Sequence, residues 1–476
     1  MSDKEKSIKI VYVGAGSAAW ALTIVRDLII SQTLSKSEIV FVDINREKLE
    51  YTTRLAKMYN EITGGGLKIN KSEKLEEALK DADFVINSVL AGNGHVLQEK
   101  VREISEKYDY YRGIESREFN MVSDYSTLYS AYDQYSYILD LIEKMHDIIP
   151  DAWLVSVSNP MFELETMMVR ENKIKAISYC DGTLHYKAIA KFFGLDPNNI
   201  EYQMAGINHN IWLTKLSYEG QDQYYRIEDW VKNRAEQYWK NDPFYTTYDN
   251  NIDIHKISEH VQFSMAAVDM YSNYGLFPVG DTVRSGTWKY HYDLQTKKKW
   301  YGPYGGFDSE IGWGRYLSHI DANNKMMMDF PNLGKDKILE EIPPKLGEDP
   351  VIPFIQAILF DTKIRAHFDI KNDNKGEKII PYLPNNVAVE VPVIIDGKGI
   401  HPEKVNGLNS RIIKEVLLPR TINMEIALDA FYSGRKDVLL DSLYRDPRTH
   451  SNNQAEEVLD KILSLPENIN SGHHYK

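Results

Sequence analysis

Residues 8–19, IKIVYVGAGSAA, decide the fold of this chain. An apolar, β-branched run leads directly into a Gly-Ala-Gly turn, and a helical pattern follows at 18–31. Glycines between a strand and a helix let the backbone approach a pyrophosphate group, which the N-terminus of the helix attracts. We therefore expect a dinucleotide-binding unit in which Gly14, Gly16 and Ser17 contact the cofactor. The alternative is a glycine turn that serves only close helix–strand packing.

An acidic residue follows the second apolar run of the chain. Residues 39–42, IVFV, end at Asp43. A carboxylate at this place hydrogen-bonds the ribose diol of a dinucleotide and repels a 2′-phosphate, so Asp43 favours NAD over NADP. Asn87 lies near the end of the next apolar strand pattern, 83–89, and we count it among the residues that contact the cofactor.

The first 195 residues alternate between apolar strand patterns and helical patterns. The further patterns are strands at 152–158 and 174–179 and helices at 72–82 and 133–149. This alternation predicts a Rossmann-type, doubly wound parallel sheet over residues 1–195. Beyond it, residues 385–396 alternate like a half-buried antiparallel strand, and 409–433 read as an amphipathic helix. We expect residues 196–476 to form a second, α+β domain for substrate binding and oligomerisation.

Composition excludes several classes of function. The chain has 476 residues and a formal net charge of −13, with 43% hydrophobic and 26% charged residues, which is ordinary for a globular protein of two or three domains. The acidic balance argues against a nucleic-acid or anionic-membrane partner. No apolar run approaches the roughly 18 residues of a membrane helix. Cys180 is the single cysteine, so no internal disulfide can form, and a cytoplasmic location is expected.

A second group of chemically capable residues lies near residue 180. Asn159 and Cys180 each follow a predicted strand, and ligands of open α/β sheets gather at those strand ends. His209 stands in a polar turn before an apolar run. A thiolate and an imidazole suit a borderline transition metal. A lone cysteine is more often a small buried hydrophobe, however, and a lone histidine is more often structural.

At this point a family resemblance is visible in motifs that span nearly the whole chain. These motifs are residues 14–17 (GAGS), 110–114 (YYRGI), 120–125 (NMVSDY), 158–160 (SNP), 205–209 (AGINH), 280–284 (GDTVR) and 444–449 (YRDPRT). With them the sequence resembles glycoside hydrolase family 4, the NAD- and manganese-dependent glycosidases. Residues 288–291 (WKYH) and 297–302 (KKKWYG) are typical of its α-glucosidase and α-glucuronidase branch, which acts on non-phosphorylated sugars.

The resemblance implies a lactate/malate dehydrogenase-like fold and a redox route to glycoside hydrolysis. In that family, NAD⁺ takes a hydride from the sugar C3, which acidifies the C2 proton. Loss of this proton is followed by elimination of the C1 leaving group. Water then adds and the ketone is reduced again, so NAD⁺ is regenerated in each turnover. The family is a known exception to two-carboxylate glycosidase chemistry.

The resemblance also implies residue roles. Cys180 and His209 match ligands of Mn²⁺, which acts as a Lewis acid toward the C2 and C3 oxygens. Asp124 and Asn159 match substrate-contacting positions. Asp281 matches the C2 base of the α-glucosidase branch.

The base and the basic residues of these motifs have open alternatives. Other branches of the family use a tyrosine base, which leaves Tyr271 or Tyr274 possible. Arg284, like Lys289, could bind a sugar carboxylate or phosphate, because arginine matches planar anions, or could pair with acidic protein residues.

Asp181 departs from the pattern of the non-phosphorylated α-branch, which has His after the metal cysteine. Asp at this position is associated with the 6-phospho-α-glucosidases, where it acts as the acid. A carboxyl group with a raised pKa could protonate the leaving oxygen. The alternative is a helix N-cap ahead of Gly182 and Thr183.

These observations predict an NAD- and Mn²⁺-dependent α-glycosidase, with an α-glucoside as the first choice of substrate and a homodimer or homotetramer as its assembly. Within the same mechanism, α-glucuronides, α-galacturonides and 6-phospho-α-glucosides are the alternatives. A malate/lactate-type NAD-dependent dehydrogenase shares the expected fold but needs no metal, and the Cys180/His209 pair argues against it. An inactive NAD-binding sensor is the third class.

Overall fold

The computed structural model describes residues 7–92, 94–114, 131–284 and 287–476, with residues 94 and 95 described by their backbone alone. Within these ranges, thirteen strands form one continuous sheet. The strands are β1 (Lys9–Val13), β2 (Glu38–Val42), β3 (Lys68–Ser72), β4 (Phe84–Asn87), β5 (Trp153–Ser156), β6 (Lys175–Ser178), β7 (Ile200–Ile207), β8 (Asn210–Tyr218), β9 (Gln221–Asp222), β10 (Phe277–Val279), β11 (Ile364–Lys371), β12 (Ala388–Asp396) and β13 (Gly399–Pro402).

Helices surround this sheet. They are α1 (Ala18–Ile30), α2 (Arg46–Thr63), α3 (Leu75–Leu79), α4 (Gly94–Glu106), α5 (Tyr132–Ile148), α6 (Met161–Glu171), α7 (Tyr186–Phe192), α8 (Tyr224–Asn233), α9 (Ala235–Asn241), α10 (Pro243–Thr246), α11 (Ile254–Val261), α12 (Met265–Tyr274), α13 (Leu294–Tyr301), α14 (Glu310–Asp329), α15 (Lys335–Glu341), α16 (Val351–Phe360), α17 (Ser410–Ile412), α18 (Leu418–Ser433), α19 (Lys436–Tyr444), α20 (Asn452–Leu463) and α21 (Ile469–His474). Two short 3₁₀ helices, Asp181–His185 and Gly280–Arg284, carry candidate site residues.

The first half of the sheet is parallel, in the order β3-β2-β1-β4-β5-β6. This is the strand order of the Rossmann fold, and it confirms the fold class predicted from the alternating pattern. Strands β1, β2 and β4 are almost wholly buried because helices cover both faces of a parallel sheet, which is why their sequences are continuous apolar runs.

The helix predicted over 72–82 is wrong in its extent. Residues 68–72 form β3, and helix α3 covers Leu75–Leu79 alone. In the strand sequence KINKS, the apolar Ile69 is buried between exposed polar residues, because β3 is an edge strand that pairs with β2 alone and is only partly covered. Its alternation is too short and too polar to be distinguished from a charged helix.

The second half of the sheet is antiparallel and contains β12 near its centre. Strand β12 pairs with β11, β7 and β13, and helices α6 and α16 pack against it. The predicted antiparallel strand over 385–396 is therefore confirmed, but its predicted half-burial is wrong, because nearly every residue of β12 is buried. The predicted helix over 409–433 is also confirmed, as α17 and α18 joined by a π-helical turn at Ile413–Leu417.

The two halves meet inside the sheet. Ser178 at the end of β6 pairs with Asp369 of β11, so the backbone ladder crosses the predicted domain boundary at residue 195 without a break. The division into domains 1–195 and 196–476 stays a prediction. In the part of the chain that the structure describes, no helix combines the length and the apolar character needed to cross a membrane.

Candidate active site

The glycine turn after β1 brings two strand ends together. Gly14 has a φ of +94° and donates its N–H to the Val42 carbonyl at 2.9 Å. A Cβ at Gly14 would lie 2.9 Å from the Ser88 backbone, so only glycine fits this approach. The Gly16 N–H donates to the Asp43 carboxylate at 2.6 Å. The predicted acid therefore lies directly against the predicted phosphate loop.

We call Gly14, Gly16, Ser17 and Asp43 the cofactor edge. Ser17 precedes the thirteen residues of α1, and its exposed hydroxyl makes no capping hydrogen bond. A helix N-terminus of this kind attracts a pyrophosphate group. These contacts fit the predicted NAD site, and the cofactor-binding roles themselves stay predictions.

Asn87 has a clear structural use. Its buried side chain donates to the hydroxyls of Ser156 and Ser158 at 3.2 and 3.0 Å, and it accepts from the Tyr137 hydroxyl at 2.8 Å. These bonds tie the ends of β4 and β5 together beside the cofactor edge. A direct contact between Asn87 and the cofactor stays a prediction.

Three chemically different donors converge at the next strand ends. The Cys180 Sγ lies 3.5 Å from the His209 Nε2, and the same nitrogen lies 3.2 Å from the Asp281 Oδ2. One donor atom from each residue falls within 4.8 Å of the others, a separation suited to a single metal ion. We call Cys180, His209 and Asp281 the metal cluster. The sequence predicted the first two as ligands, whereas Asp281 was assigned as a base and its place in the cluster was missed.

Two glycines allow the metal cluster to form. Gly280 has a φ of +59°, and a Cβ there would lie 2.6 Å from the Gly182 carbonyl oxygen, so the two 3₁₀ helices can approach only with glycine at this position. A Cβ at Gly182 would in turn lie 3.4 Å from the Cys180 sulfur and 3.6 Å from the Asp281 carboxylate. Gly182 thus forms one wall of the cluster, with no side chain between the donors.

His209 belongs to the tight turn that joins β7 to β8. Its φ of +59° is left-handed, a conformation that costs a non-glycine residue about 1–2 kcal/mol. Two residues later, the Thr282 hydroxyl accepts from the Ile211 N–H at 2.7 Å and donates to the Ile211 carbonyl at 2.9 Å. Because Thr282 follows Asp281, this double bond fixes the His209 turn and the Asp281 turn to each other.

Asp281 is held in its charged form. Burial raises the pKa of Asp281, but the Arg284 guanidinium and the His209 ring outweigh burial and bring the pKa well below its usual range. The Arg284 Nε donates to the Asp281 Oδ1 at 2.6 Å, and its Nη1 donates to the buried Asp308 at 3.0 Å. Arg284 therefore spends these two donors on protein carboxylates, and its predicted binding of substrate is untested.

The other two members of the metal cluster are neutral without a cation. Burial lowers the pKa of His209 to about 4, against the opposing effect of Asp281, so at pH 7 a neutral imidazole contacts the charged Asp281 carboxylate and the two do not form an ion pair. Burial, followed by the charges of Asp181, Glu390 and Asp281, raises the pKa of the Cys180 thiol well above its usual value. A neutral imidazole, a carboxylate and a thiol that ionises beside a cation form a donor set that fits a divalent transition metal.

Asp181 is the first residue of the 3₁₀ helix that follows β6, and Cys180 takes the cap position. The alternative that Asp181 is a helix N-cap is therefore wrong; the reason is that the helix begins one residue earlier than the Gly182-Thr183 pattern suggested. The Asp181 carboxylate reaches solvent, although protein surrounds it on most sides. This desolvation, together with the charge of Asp281, raises its pKa.

The remaining predicted residues are placed as follows. Asn159 follows β5, and its Oδ1 is buried with no hydrogen-bond partner among the described residues, as a ligand-binding atom would be. The predicted substrate contact Asp124 lies outside the described residues. The Tyr271 ring packs against Tyr224 and Phe277, and the Tyr274 ring packs against Trp212. The alternative that one of them is the base stays untested.

Sequence reasoning missed a set of buried carboxyl groups behind the metal cluster, which we call the acid row: Glu165, Asp369 and Glu390. All three are at most 1% exposed. Asp369 pairs with Glu390 across β11 and β12, and the Ser178 hydroxyl donates to Glu165 at 2.5 Å. Burial raises the pKa of Glu165 and of Glu390 to about 8. An acidic residue between valines in 385–396 was the available signal.

Family models match almost the entire chain. The model described as "Family 4 glycosyl hydrolase" matches residues 9–193, and the model described as "Family 4 glycosyl hydrolase C-terminal domain" matches residues 204–449. Together they cover well over half of the sequence. The first match includes Cys180, and the second includes His209 and Asp281. The chain belongs to glycosyl hydrolase family 4, as its motifs predicted.

The chain is also similar to curated glycosidases over nearly their full length. The chain is 26% identical to an α-galactosidase of Bacillus subtilis over 98% of each chain. It is 24% identical to an α-glucosidase of Erwinia rhapontici, over 96% of this chain and 97% of that protein.

Solved structures agree on the fold. A 6-phospho-β-glucosidase of Thermotoga maritima, solved with manganese, NAD⁺ and glucose-6-phosphate, superposes with a TM-score of 0.71 at 16% identity, over 98% of this chain and 100% of that one. A lactate dehydrogenase of Eimeria maxima superposes less closely, with a TM-score of 0.51 at 14% identity over 90% of this chain and 97% of that chain. The dehydrogenase-like fold class is thereby confirmed.

Proposed function

We propose that this protein is an NAD- and Mn²⁺-dependent α-glycosidase whose substrate is an uncharged hexopyranoside, in the first place an α-glucoside. One observation carries the proposal: a thiol, an imidazole and a carboxylate meet within 4.8 Å at the same sheet edge as a glycine loop suited to a dinucleotide. A dehydrogenase of the lactate type has no need of such a cluster.

The chain contains a candidate binding site for each predicted cofactor. The cofactor edge would bind NAD, with its glycine amides and the N-terminus of α1 at the pyrophosphate and Asp43 at a ribose. The metal cluster would bind Mn²⁺. When bound, the nicotinamide accepts a hydride from the sugar C3, and the divalent ion withdraws electron density from the C2 and C3 oxygens.

Asp181 is the proposed general acid. Its pKa is raised by desolvation and by the charge of Asp281, so it holds a proton at a higher pH than an ordinary aspartate does. Its carboxylate reaches solvent next to the cluster, with the Cys180 sulfur 4.0 Å away. Asp181 is therefore placed to give its proton to the oxygen that leaves C1.

Asp281 has two proposed roles, which one variant separates. Its low pKa makes it a weak base near neutral pH, and its Oδ2 faces the same His209 nitrogen as the cysteine sulfur does. We therefore favour a third metal ligand over the predicted C2 base. If Asp281 is a ligand, Asp281→Asn weakens Mn²⁺ binding measured by titration calorimetry. If Asp281 is a base alone, the same substitution leaves Mn²⁺ affinity unchanged and stops exchange of the C2 proton with solvent.

Among the described residues, the cations at positions 284, 289 and 297 are paired within the protein, which favours an uncharged substrate. Arg284 contacts two carboxylates, and Lys289 lies 2.6 Å from the Asp269 carboxylate. Lys297 is 1% exposed and donates to the His291 ring at 3.3 Å. Each of these three cations thus has a protein partner that a sugar phosphate or uronate would have to displace. The similarity to the α-galactosidase of Bacillus subtilis makes an α-galactoside the alternative uncharged substrate.

The proposal extends to the setting of the enzyme. A thiol ligand must stay reduced to hold a metal, which favours the cytoplasm. A homodimer or homotetramer remains the prediction from the family resemblance.

One assay series tests the proposed function. p-Nitrophenyl α-glucoside, α-galactoside, α-glucuronide and 6-phospho-α-glucoside are each incubated with the protein, NAD⁺ and Mn²⁺. We expect nitrophenol release from an uncharged α-glycoside, no net formation of NADH, and deuterium at C2 of the sugar when the reaction runs in D₂O. Stoichiometric NADH would instead identify a dehydrogenase. Full retention of hydrogen at C2 would exclude elimination, provided that the base exchanges rapidly with solvent.

A further inference from the structure

The backbone of His209 needs outside support. A left-handed conformation is unfavourable for a residue with a Cβ, and such strain persists only where the surroundings impose it. The left-handed conformation is explained if it directs the His209 Nε2 toward Cys180 and Asp281. Thr282 fixes the chain that leaves the turn, through Ile211. The chain that enters the turn is fixed through Asn208.

Asn208, the residue before His209, is held on two sides. Its buried side-chain nitrogen donates to the Glu390 Oε2 at 3.3 Å and to the Met161 Sδ at 3.5 Å. An amide nitrogen has two hydrogens, and these two contacts use both. The side chain of Asn208 is therefore pinned between β12 and the start of α6.

Glu390 supports the same turn through the backbone as well. It lies opposite Gly206 in the ladder between β12 and β7 and is 1% exposed. The residue thus contacts the turn at two points, by main chain at Gly206 and by side chain at Asn208. Strand β12 is covered by helices, so this support cannot shift with a surface loop.

We propose that Glu390 is a positioning residue for the metal cluster: through its hydrogen bond to Asn208 it holds the His209 turn in the left-handed conformation that points the imidazole at Cys180 and Asp281. The role is that of a hydrogen-bond acceptor and does not require a negative charge. Outer partners that orient a metal-binding histidine are commonly worth about 10–100-fold in metal affinity. The inference rests on the proposed Mn²⁺ site.

The test measures Mn²⁺ affinity of the full-length protein by electron paramagnetic resonance of the free ion. We expect Glu390→Ala and Asn208→Ala each to weaken binding about tenfold or more. Glu390→Gln keeps an acceptor for the Asn208 amide, so its affinity should stay within about threefold of wild type. The double variant Glu390→Ala/Asn208→Ala should be no weaker than either single variant, because both remove the same contact.

Asp369→Asn is the matched control. Asp369 is a buried acid in the same row, directly opposite Glu390, and neither of its oxygens has a hydrogen-bond partner in the described structure. If the acid row acted by charge, this variant would weaken Mn²⁺ binding as Glu390→Ala does. We expect wild-type affinity. The visible spectrum of bound Co²⁺ supplies a second readout, since it reports ligand geometry: it should change in Glu390→Ala and stay unchanged in Glu390→Gln and Asp369→Asn.

The outcomes separate this inference from the proposed function. A wild-type protein that binds no Mn²⁺ overturns the proposed function. A wild-type protein that binds Mn²⁺ while Glu390→Ala binds it equally well overturns only the positioning role, as does a Glu390→Gln variant as weak as Glu390→Ala. If Glu390→Ala does not fold, Asn208→Ala decides: wild-type affinity there refutes the positioning role, and loss of affinity supports it.

Discussion

The cofactor edge and the metal cluster lie at neighbouring strand ends of one sheet, yet they are built in opposite ways. Three of the four cofactor-edge residues stand within a single turn of the sequence, and Gly14 is held by hydrogen bonds with Val42 and Ser88. The members of the metal cluster come from three distant segments and meet through two 3₁₀ helices and a hairpin turn. The cofactor edge is mostly a local motif, whereas the metal cluster exists only after the sheet has formed.

The cofactor edge and the metal cluster therefore respond differently to substitutions. A substitution at the cofactor edge acts on one loop. A substitution in or behind the metal cluster acts on several elements at once, because Thr282, Gly182 and Glu390 each connect two of them.

The largest effect is expected where the metal cluster loses its thiol. Cys180→Ser replaces a soft ligand with a hydroxyl, which stays protonated and binds Mn²⁺ poorly. Since Lewis-acid stabilisation is worth several kcal/mol, kcat/KM on the best p-nitrophenyl α-glycoside should fall about 1,000-fold or more. Activity that survives this change in buffer treated with a chelator would refute the metal assignment.

A smaller effect is expected at the cofactor edge. Gly14→Ala places a residue with a Cβ at a φ of +94° and puts that Cβ 2.9 Å from the Ser88 backbone. NAD affinity, measured by fluorescence quenching, should fall about 10–100-fold, since each 1.4 kcal/mol of strain is tenfold. Gly64→Ala is the matched control: its φ is +69° and no atom lies within 4 Å of the added Cβ. It should lower stability and leave NAD affinity unchanged, and an equal loss of NAD affinity in both variants would contradict the role of the Gly14 turn.

Metal binding should release a proton. The Cys180 thiol has a raised pKa without metal and must become a thiolate to bind, whereas His209, with its pKa near 4, is already neutral above about pH 5. Below the pKa of the thiol, the apparent Mn²⁺ affinity should therefore increase about tenfold per pH unit as pH rises. Calorimetry in two buffers of different ionisation enthalpy should count about one proton released. A pH-independent affinity would mean that the sulfur is not a ligand.

The smallest effect is expected at Lys289, which the sequence analysis considered for anion binding. The structure pairs its ammonium group with Asp269 at a partly exposed site. Exposed ion pairs contribute little, so Lys289→Met should change kcat/KM on an uncharged α-glycoside less than about threefold. A large loss confined to an anionic substrate would instead revive the carboxylate-binding role of this residue.

The contrast between the two edges also explains what the sequence could predict. Strands β1, β2 and β4 are continuous apolar runs beside recognisable turn residues, so the parallel half of the sheet and the place of Asp43 were predictable from local pattern. Cys180 and His209 were predictable as a pair through motif resemblance. Asp281 was found as a residue but not as a member of the metal cluster, because nothing in local spacing reveals that Gly280 and Gly182 bring two turns into contact.

Glu390 and Asp369 were missed for a related reason. Each stands in a strand that reads as alternating, and a polar residue in such a strand is normally assigned to the solvent face. The strands lie inside a sheet covered by α6 and α16, so both faces are buried. Burial of this kind depends on strand order, and strand order in the antiparallel half follows from contacts between segments far apart in sequence.

The uninterrupted ladder from β6 through Ser178 and Asp369 into β11 has a mechanical meaning. A hinge between the parallel half of the sheet and the antiparallel half would have to break the pairing of Ser178 with Asp369 in the middle of the sheet. The cofactor edge and the metal cluster are therefore set in register with each other when the chain folds, and a ligand that spans them meets an arrangement that already exists.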